Sequence, residues 1–483
     1  MKKGGLVIVF NLFSLVLVFY LFKNQADQAS APDFIRGAIC GVMVFSINFF
    51  LDWRFRKKFH PIWGFFIGNI ILLGMGGRYI ARVLGTEAEQ NLSISGHLPL
   101  HELYDGFLLL FSSALFFLIG FYLNQKPSKF LILTRESKNY IFPKDALIWL
   151  ITFGSWGCKF ARFLPGVLGT TVGLLPLGVL YVFGLKYYTT IGLRKRVYVL
   201  YVLIIIIVEL AFASRSAMRE GYVTVFIPLL LATGWASAQG PSVLAQKKPG
   251  YGKKKRFAAV AALIFVFWFL MAVIFPAANA VKSRQVHDFK TAFVMIVTKK
   301  QTSDDPGALK KNMTNETLEM RRAIIITSAA ICIRLSKMNL RMEHDPLQLF
   351  AAGFIPRALW PNKPVIEKGG WFNKFLLRLL GLSETEGDTS MALSAAGELF
   401  WAYGVAGVMI IMLLTGLLFS FFHNIGYTND LRNIFNSTLL IALASFYLKA
   451  FDGNWSATVS LLSLIAALSI FTSKFLVRNR QRP

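Results

Sequence analysis

Long uninterrupted apolar stretches recur along the whole chain, separated by shorter polar segments rich in Lys and Arg. Each suits a membrane helix, which needs roughly 20 apolar residues to cross the hydrocarbon. The stretches do not alternate apolar with polar positions, which excludes a membrane β-barrel. A backbone in lipid then satisfies its amides only as helix. The pattern predicts spans near 5–22, 36–51, 61–77, 106–123, 146–164, 167–185, 197–213, 221–238, 257–275, 397–421, 434–449 and 456–473. The span around Thr224–Ala238 contains Pro228, which predicts a tilt or a break. The expected fold class is all-α, a polytopic membrane protein of about twelve spans.

One long interval interrupts the series. It divides the chain into bundle residues 1–275, a loop at 276–396 and a final bundle segment at 397–483. In the loop, VHDFKTAFVMIV sets Val286, Phe289, Phe293 and Ile296 on one helical face. WFNKFLLRLL does the same with Trp371, Phe375 and Leu379. Such helices lie along a membrane surface or cap a cavity. Arg321–Arg341 is apolar but dotted with bases, and 298–317 is a polar turn region.

Of the 483 residues, 55% are hydrophobic and the formal net charge is +27. In a soluble chain that charge would suggest nucleic acid. Here Lys and Arg crowd into alternate short segments: DWRFRKKFH, 126–144, Lys186 with RKR at 194–196, 247–256 and the tail RNRQRP. The intervening short loops hold far fewer, so the charge sets topology, with the bilayer as partner and no nucleic acid. Both termini are then expected in the cytoplasm and the long loop outside. No small-residue cleavage site closes the first run, which predicts an uncleaved span. Cys40, Cys158 and Cys332 show no disulfide or metal spacing, and the loop shows no paired-carboxylate motif beyond Asp304–Asp305 in its turn region. Neither metal nor cofactor is expected.

The chemistry concentrates on the outer side. In FIPRALWPNKP, prolines 356, 361 and 364 stiffen the chain around Arg357 and Lys363. A guanidinium fork suits paired phosphate oxygens; the alternative is a pair with Glu367 or Glu343. Arg215 and Arg219, four apart in ASRSAMREGY, share a helical face with Ser214 and Ser216 nearby, or else snorkel to headgroups. Arg321 and Arg322 form another pair, and Arg334 and Arg341 are weaker candidates. Fixed cations at the interface best match a lipid-linked diphosphate, whose charge grows as it leaves in a group transfer.

A transfer to a hydroxyl also uses a base. Glu398, at the start of a late span, is one candidate; the alternative is that it complements a helix dipole. His344 is the other, or else a surface histidine beside Asp345. Trp360, Asp452 and Trp455 are the sugar-binding candidates, the last two in KAFDGNW. Asp388 reads as a turn residue.

IPRALWPNKP followed by SAAGELFWAYGVAG resembles the oligosaccharide repeat-unit polymerases, the Wzy-type O-antigen polymerase family. The matching residues are Ile355, Pro356, Arg357, Trp360, Pro361, Lys363 and Pro364, then Gly397, Glu398, Tyr403, Gly404 and Gly407. Ser214–Arg215 is also similar. The resemblance implies a GT-C-like bundle with a large helical extracytoplasmic loop in a bacterial cytoplasmic membrane. It implies metal-independent transfer of a glycan from undecaprenyl diphosphate to a hydroxyl of an incoming lipid-linked repeat unit. It further implies a flippase and a chain-length regulator as partners. The related O-antigen ligases share the arginine logic and are the nearest alternative, with His344 as the base.

Two other classes compete. A transporter without chemistry predicts repeat symmetry and facing intramembrane charges, whereas Glu209 is the acid placed well inside a span. A scaffold of an envelope complex is the third, and the arginine-rich outer surface argues against it.

Overall fold

The computed structural model describes residues 3–22, 30–56, 60–84, 98–124, 144–161, 166–190, 193–216, 219–238, 316–342, 345–355, 360, 362, 372, 393–428, 434–450 and 452–478. Among them every regular element is a helix: α1 Lys3–Phe22, α2 Ala31–Arg56, α3 Ile62–Leu84, α4 Leu100–Leu123, α5 Asp145–Ala161, α6 Gly166–Thr189, α7 Arg194–Ser216, α8 Arg219–Ala238, α9 Glu316–Lys337, α10 Pro346–Phe354, α11 Ala395–Thr428, α12 Ile434–Lys449 and α13 Trp455–Arg478. A helix occupies every predicted apolar run except 257–275, which lies outside the described residues, as do 286–296 and all but Phe372 of 371–380. Of the described helices, 7 are long and apolar enough to cross a bilayer, so the protein is membrane-embedded. Pro228 does not break its helix: α8 runs through it, as α6 runs through Pro176.

The chain forms two compact units. The first comprises Met1–Asn139, Gly154–Leu174 and Glu319–Pro483. Here α4 packs along α11, α2 along α3, α1 against α4, α12 against α3, and α10 and α12 against α13. Phe65, Phe117, Phe121, Phe419 and Tyr447 interlock at the centre. Lipid is as apolar as these side chains, so close contact and polar pairing hold such helices together. Both devices are present. A Cβ on Gly120 would stand 2.0 Å from the Leu413 carbonyl oxygen, and one on Gly416 would stand 2.1 Å from that of Phe117. The buried amides of Asn11 and Asn48 exchange hydrogen bonds of 2.9 and 3.2 Å between α1 and α2. Asp52 accepts from the Trp63 indole at 2.8 Å and the Tyr122 hydroxyl at 2.6 Å, joining α2, α3 and α4.

The segment around Arg321, apolar but dotted with bases, is helical. It forms α9, in which Ala323, Ile326, Ala329, Ala330 and Ile333 are buried in the main core. Gly106 of α4 lets it approach, since a Cβ there would lie 2.7 Å from the Ile326 carbonyl oxygen. Arg334 and Lys337 meet Glu102 and Asp105 at 3.8 and 3.1 Å, which carries the C-terminal bases of α9 onto the start of α4.

The second unit comprises Tyr140–Phe153 and Leu175–Leu318. Buried Lys186 pairs with Asp145 and lies over the rings of Phe183 and Tyr198 at 5.8 and 5.7 Å. Trp149 packs on Phe183 and Tyr201, closing an aromatic collar around the ion pair. The hydroxyls of Tyr188 and Thr233 join α6 to α8 at 3.0 Å.

Candidate functional site

In the first unit, the starts of α11 and α13 meet the end of α12, with α9 and α10 packed against them. Ser394 opens α11 by accepting the Gly397 amide at 3.1 Å. One turn in, Glu398 is fully buried. Its Oε2 accepts the amides of Trp455 at 2.6 Å and Ser456 at 3.4 Å, and its Oε1 accepts the Ser456 hydroxyl at 2.9 Å. These amides open α13, where intrahelical acceptors are missing and the dipole is positive. The dipole role expected of Glu398 is therefore exercised on a different helix from its own. A sealed carboxylate with both oxygens engaged fixes the α11–α13 junction.

The turn from α12 to α13 gathers three more candidates. The Lys449 carbonyl accepts from the Arg322 guanidinium at 3.3 Å and from the Asp452 amide at 3.1 Å. Arg322 thus stands where α12 presents its negative end. Asp452 is half-buried, in a turn made possible by positive φ at Ala450 (49°) and Gly453 (121°). Trp455 corrects its assignment as a sugar platform. It is 6% exposed, its indole donates to the Thr415 hydroxyl at 2.9 Å, and its ring packs 5.9 Å from Phe350.

Sequence reasoning missed the partnership that holds α10. Asp345 caps this helix by accepting the amides of Leu347 and Gln348 at 2.8 and 3.0 Å, with Pro346 in the first turn. The Tyr403 hydroxyl donates to the same oxygen at 2.5 Å. The next residue, Gly404, breaks the regular path of α11 with φ 68° and ψ −169°, a region essentially reserved for glycine. Asp345–Pro346 is a legible helix-start signal; nothing in the sequence announces the break. Ser460 donates to the Phe350 carbonyl at 3.1 Å, tying α10 to α13 as well.

Other candidates stand apart from this junction. Arg334 is tied to Glu102, and Arg341 is exposed. Trp360 is half-buried. His344, Arg357 and Lys363 lie outside the described residues, as do the side chains of Arg215, Arg219 and Arg321 on α7, α8 and α9. Comparison with protein families, with curated proteins and with solved structures gives no match.

Proposed function

We propose that this membrane-embedded chain is a metal-independent glycosyltransferase that polymerises lipid-linked oligosaccharide repeat units. It transfers the glycan from undecaprenyl diphosphate to a hydroxyl of an incoming lipid-linked unit at the outer face of a bacterial cytoplasmic membrane. The finer topology belongs to the same proposal: about twelve spans in a GT-C-like bundle, cytoplasmic termini and an outer loop. A flippase would supply the substrate and a chain-length regulator would act on the product.

The observation that supports this reading is the junction of Glu398, Arg322 and Asp452 at one end of the first unit, beside α10. Helix α10 ends at Phe354, capped by Ile355, and in the sequence Arg357 and Lys363 follow it. Arg215, Arg219, Arg357, Lys363, Arg321 and Arg322 are the proposed diphosphate ligands, with Trp360 and Asp452 toward the sugars. Glycan transfer of the O-antigen ligase type is the nearest variant. The break in α11 at Gly404 favours a second reading, a lipid-linked glycan transporter, because broken helices line transport sites.

Reconstitution of the full chain in vesicles with purified lipid-linked repeat unit decides among them. Chain growth supports the polymerase. Transfer only to a different lipid acceptor supports the ligase. Movement of the intact unit across the bilayer without any new glycosidic bond supports the transporter and defeats the proposal. Within an active preparation, Arg357→Ala and Arg357→Lys should both lose polymer at unchanged protein level, because forked contact needs a guanidinium.

A further inference from the structure

At one end of the second unit, the start of α5, the end of α6 and the start of α7 come together around the buried pair of Lys186 and Asp145. The spans Leu168–Tyr188 and Arg194–Ala213 finish and begin here, so this end lies at headgroup depth. Lys144 immediately precedes Asp145 and is exposed. Arg194 is exposed too. It stands one turn before Tyr198, within electrostatic reach of a hydroxyl that itself lies beside Asp145. Lys195 lies over the Tyr187 ring at 4.3 Å. Lys144, Lys186, Arg194 and Lys195 thus gather about one described acid, and Lys186 already neutralises it. Among the described residues neither Lys144 nor Arg194 forms an ion pair. The buried pair therefore does two things: it locks α5 to α6, and it removes the one negative charge that would repel an anion from the two exposed cations.

The surface running into the bilayer from these cations is apolar. Trp149 of α5 and Tyr201 of α7 pack edge to face at 5.2 Å, and both rings are half-buried. Leu150 and Phe153 beside Trp149 are exposed, as are Val197 and Ile204, one turn to either side of Tyr201. Residues three and four apart share a helix face, so the aromatic contact is flanked by aliphatic and aromatic side chains on both helices. Cations at headgroup depth above an apolar flank match a molecule with an anionic head and hydrocarbon chains.

We propose that this end of the second unit binds one anionic phospholipid, with its phosphate between Lys144 and Arg194 and its chains along the Trp149–Tyr201 contact. The Arg194 fork takes two phosphate oxygens and Lys144 supplies a point charge. A zwitterionic headgroup brings its own cation to a site already positive, so a head with net negative charge is selected. The inference is independent of the transferase reading, since it needs only that the chain is embedded in a membrane.

Native mass spectrometry of the full chain tests it, in detergent micelles doped with equal phosphatidylglycerol and phosphatidylcholine. Wild type should retain phosphatidylglycerol in preference. Each base near a membrane surface contributes about fivefold in affinity, so Lys144→Gln with Arg194→Gln should weaken phosphatidylglycerol binding about 25-fold and leave phosphatidylcholine unchanged. Arg196→Gln is the control: that residue is also exposed but points about 200° around α7 from Arg194, and its loss should change little. No lipid preference in wild type overturns the proposal. So does a loss of less than about threefold in the double variant, well short of the charge contribution. An equal loss in Arg196→Gln overturns it too, because the attraction is then diffuse. Wild type alone gives a second measurement that no folding defect can obscure: raising ammonium acetate from about 0.1 to about 1 M shortens the screening length roughly threefold. Retention of phosphatidylglycerol should fall toward that of phosphatidylcholine, and a preference indifferent to salt would rule out the two cations as its cause.

Discussion

The amide of Trp455 donates to the Glu398 carboxylate across 2.6 Å, joining the first residue of α13 to the first turn of α11. Asp452, three residues earlier, donates its amide to the Lys449 carbonyl that also accepts Arg322. A negative group thus meets the amide end of α13 and a positive group the carbonyl end of α12, the helix before it. Each arrangement satisfies backbone groups that lipid cannot.

Glu398→Ala is expected to lower stability, because two buried amides and a hydroxyl lose their acceptor. Each buried group left unsatisfied costs about 1–3 kcal/mol. Glu398→Gln keeps one carbonyl acceptor and should recover part of the loss. Thermal unfolding of the purified protein in detergent measures both; equal stability of Glu398→Ala and wild type would refute the capping role.

Gly416→Ala places a methyl 2.1 Å from the Phe117 carbonyl oxygen, so α4 and α11 must separate. Overpacking of a dense interface costs about 1–3 kcal/mol and occasionally more, and a monodisperse peak in size-exclusion chromatography should be lost. Gly154→Ala and Gly157→Ala in α5 meet nothing within 4 Å and should leave that peak intact.

Gly404→Ala tests the break in α11 without a steric complication, since the site has room for a Cβ. The cost is conformational, of order 1–3 kcal/mol. The variant should unfold at a lower temperature or straighten the helix and pull Tyr403 from Asp345. A crosslink between cysteines introduced on α10 and α11 would report the second outcome by its loss.

The Asn11–Asn48 pair should show a coupling energy of about 1 kcal/mol, typical of hydrogen bonds between membrane helices. Replacing either residue with Leu leaves the other's amide oxygen without its interhelical donor, although its NH2 keeps the Val7 or Val44 carbonyl, whereas the double replacement removes both polar groups together. A double-mutant cycle on unfolding free energy gives the coupling, and additive single effects would mean that the pair is not an interhelical link.

Apolar run length made the helices readable, because a bilayer imposes one length and one conformation on any span. The site was readable in part. Glu398 was picked out as an acid at a helix start, and Arg322 as a base at the edge of an apolar segment. Their partners were not, since Trp455 and Lys449 are brought to them by helices far along the chain. Trp455 shows the same limit from the other side: an indole in a short loop looks like a platform until Phe350 and Thr415 are known to cover it.

Local pattern by itself determined that the protein is helical and membrane-embedded and along which stretches its apolar helices run. Only tertiary structure decided that α9 belongs to the core, that Glu398 serves another helix, and that Tyr403 reaches Asp345 beside a broken turn. Hydrophobicity is a property of each segment and can be summed along the chain. Hydrogen-bond partnership depends on which helix ends meet, and that is settled by close-packed surfaces such as Gly120 and Gly416, whose fit no single segment contains.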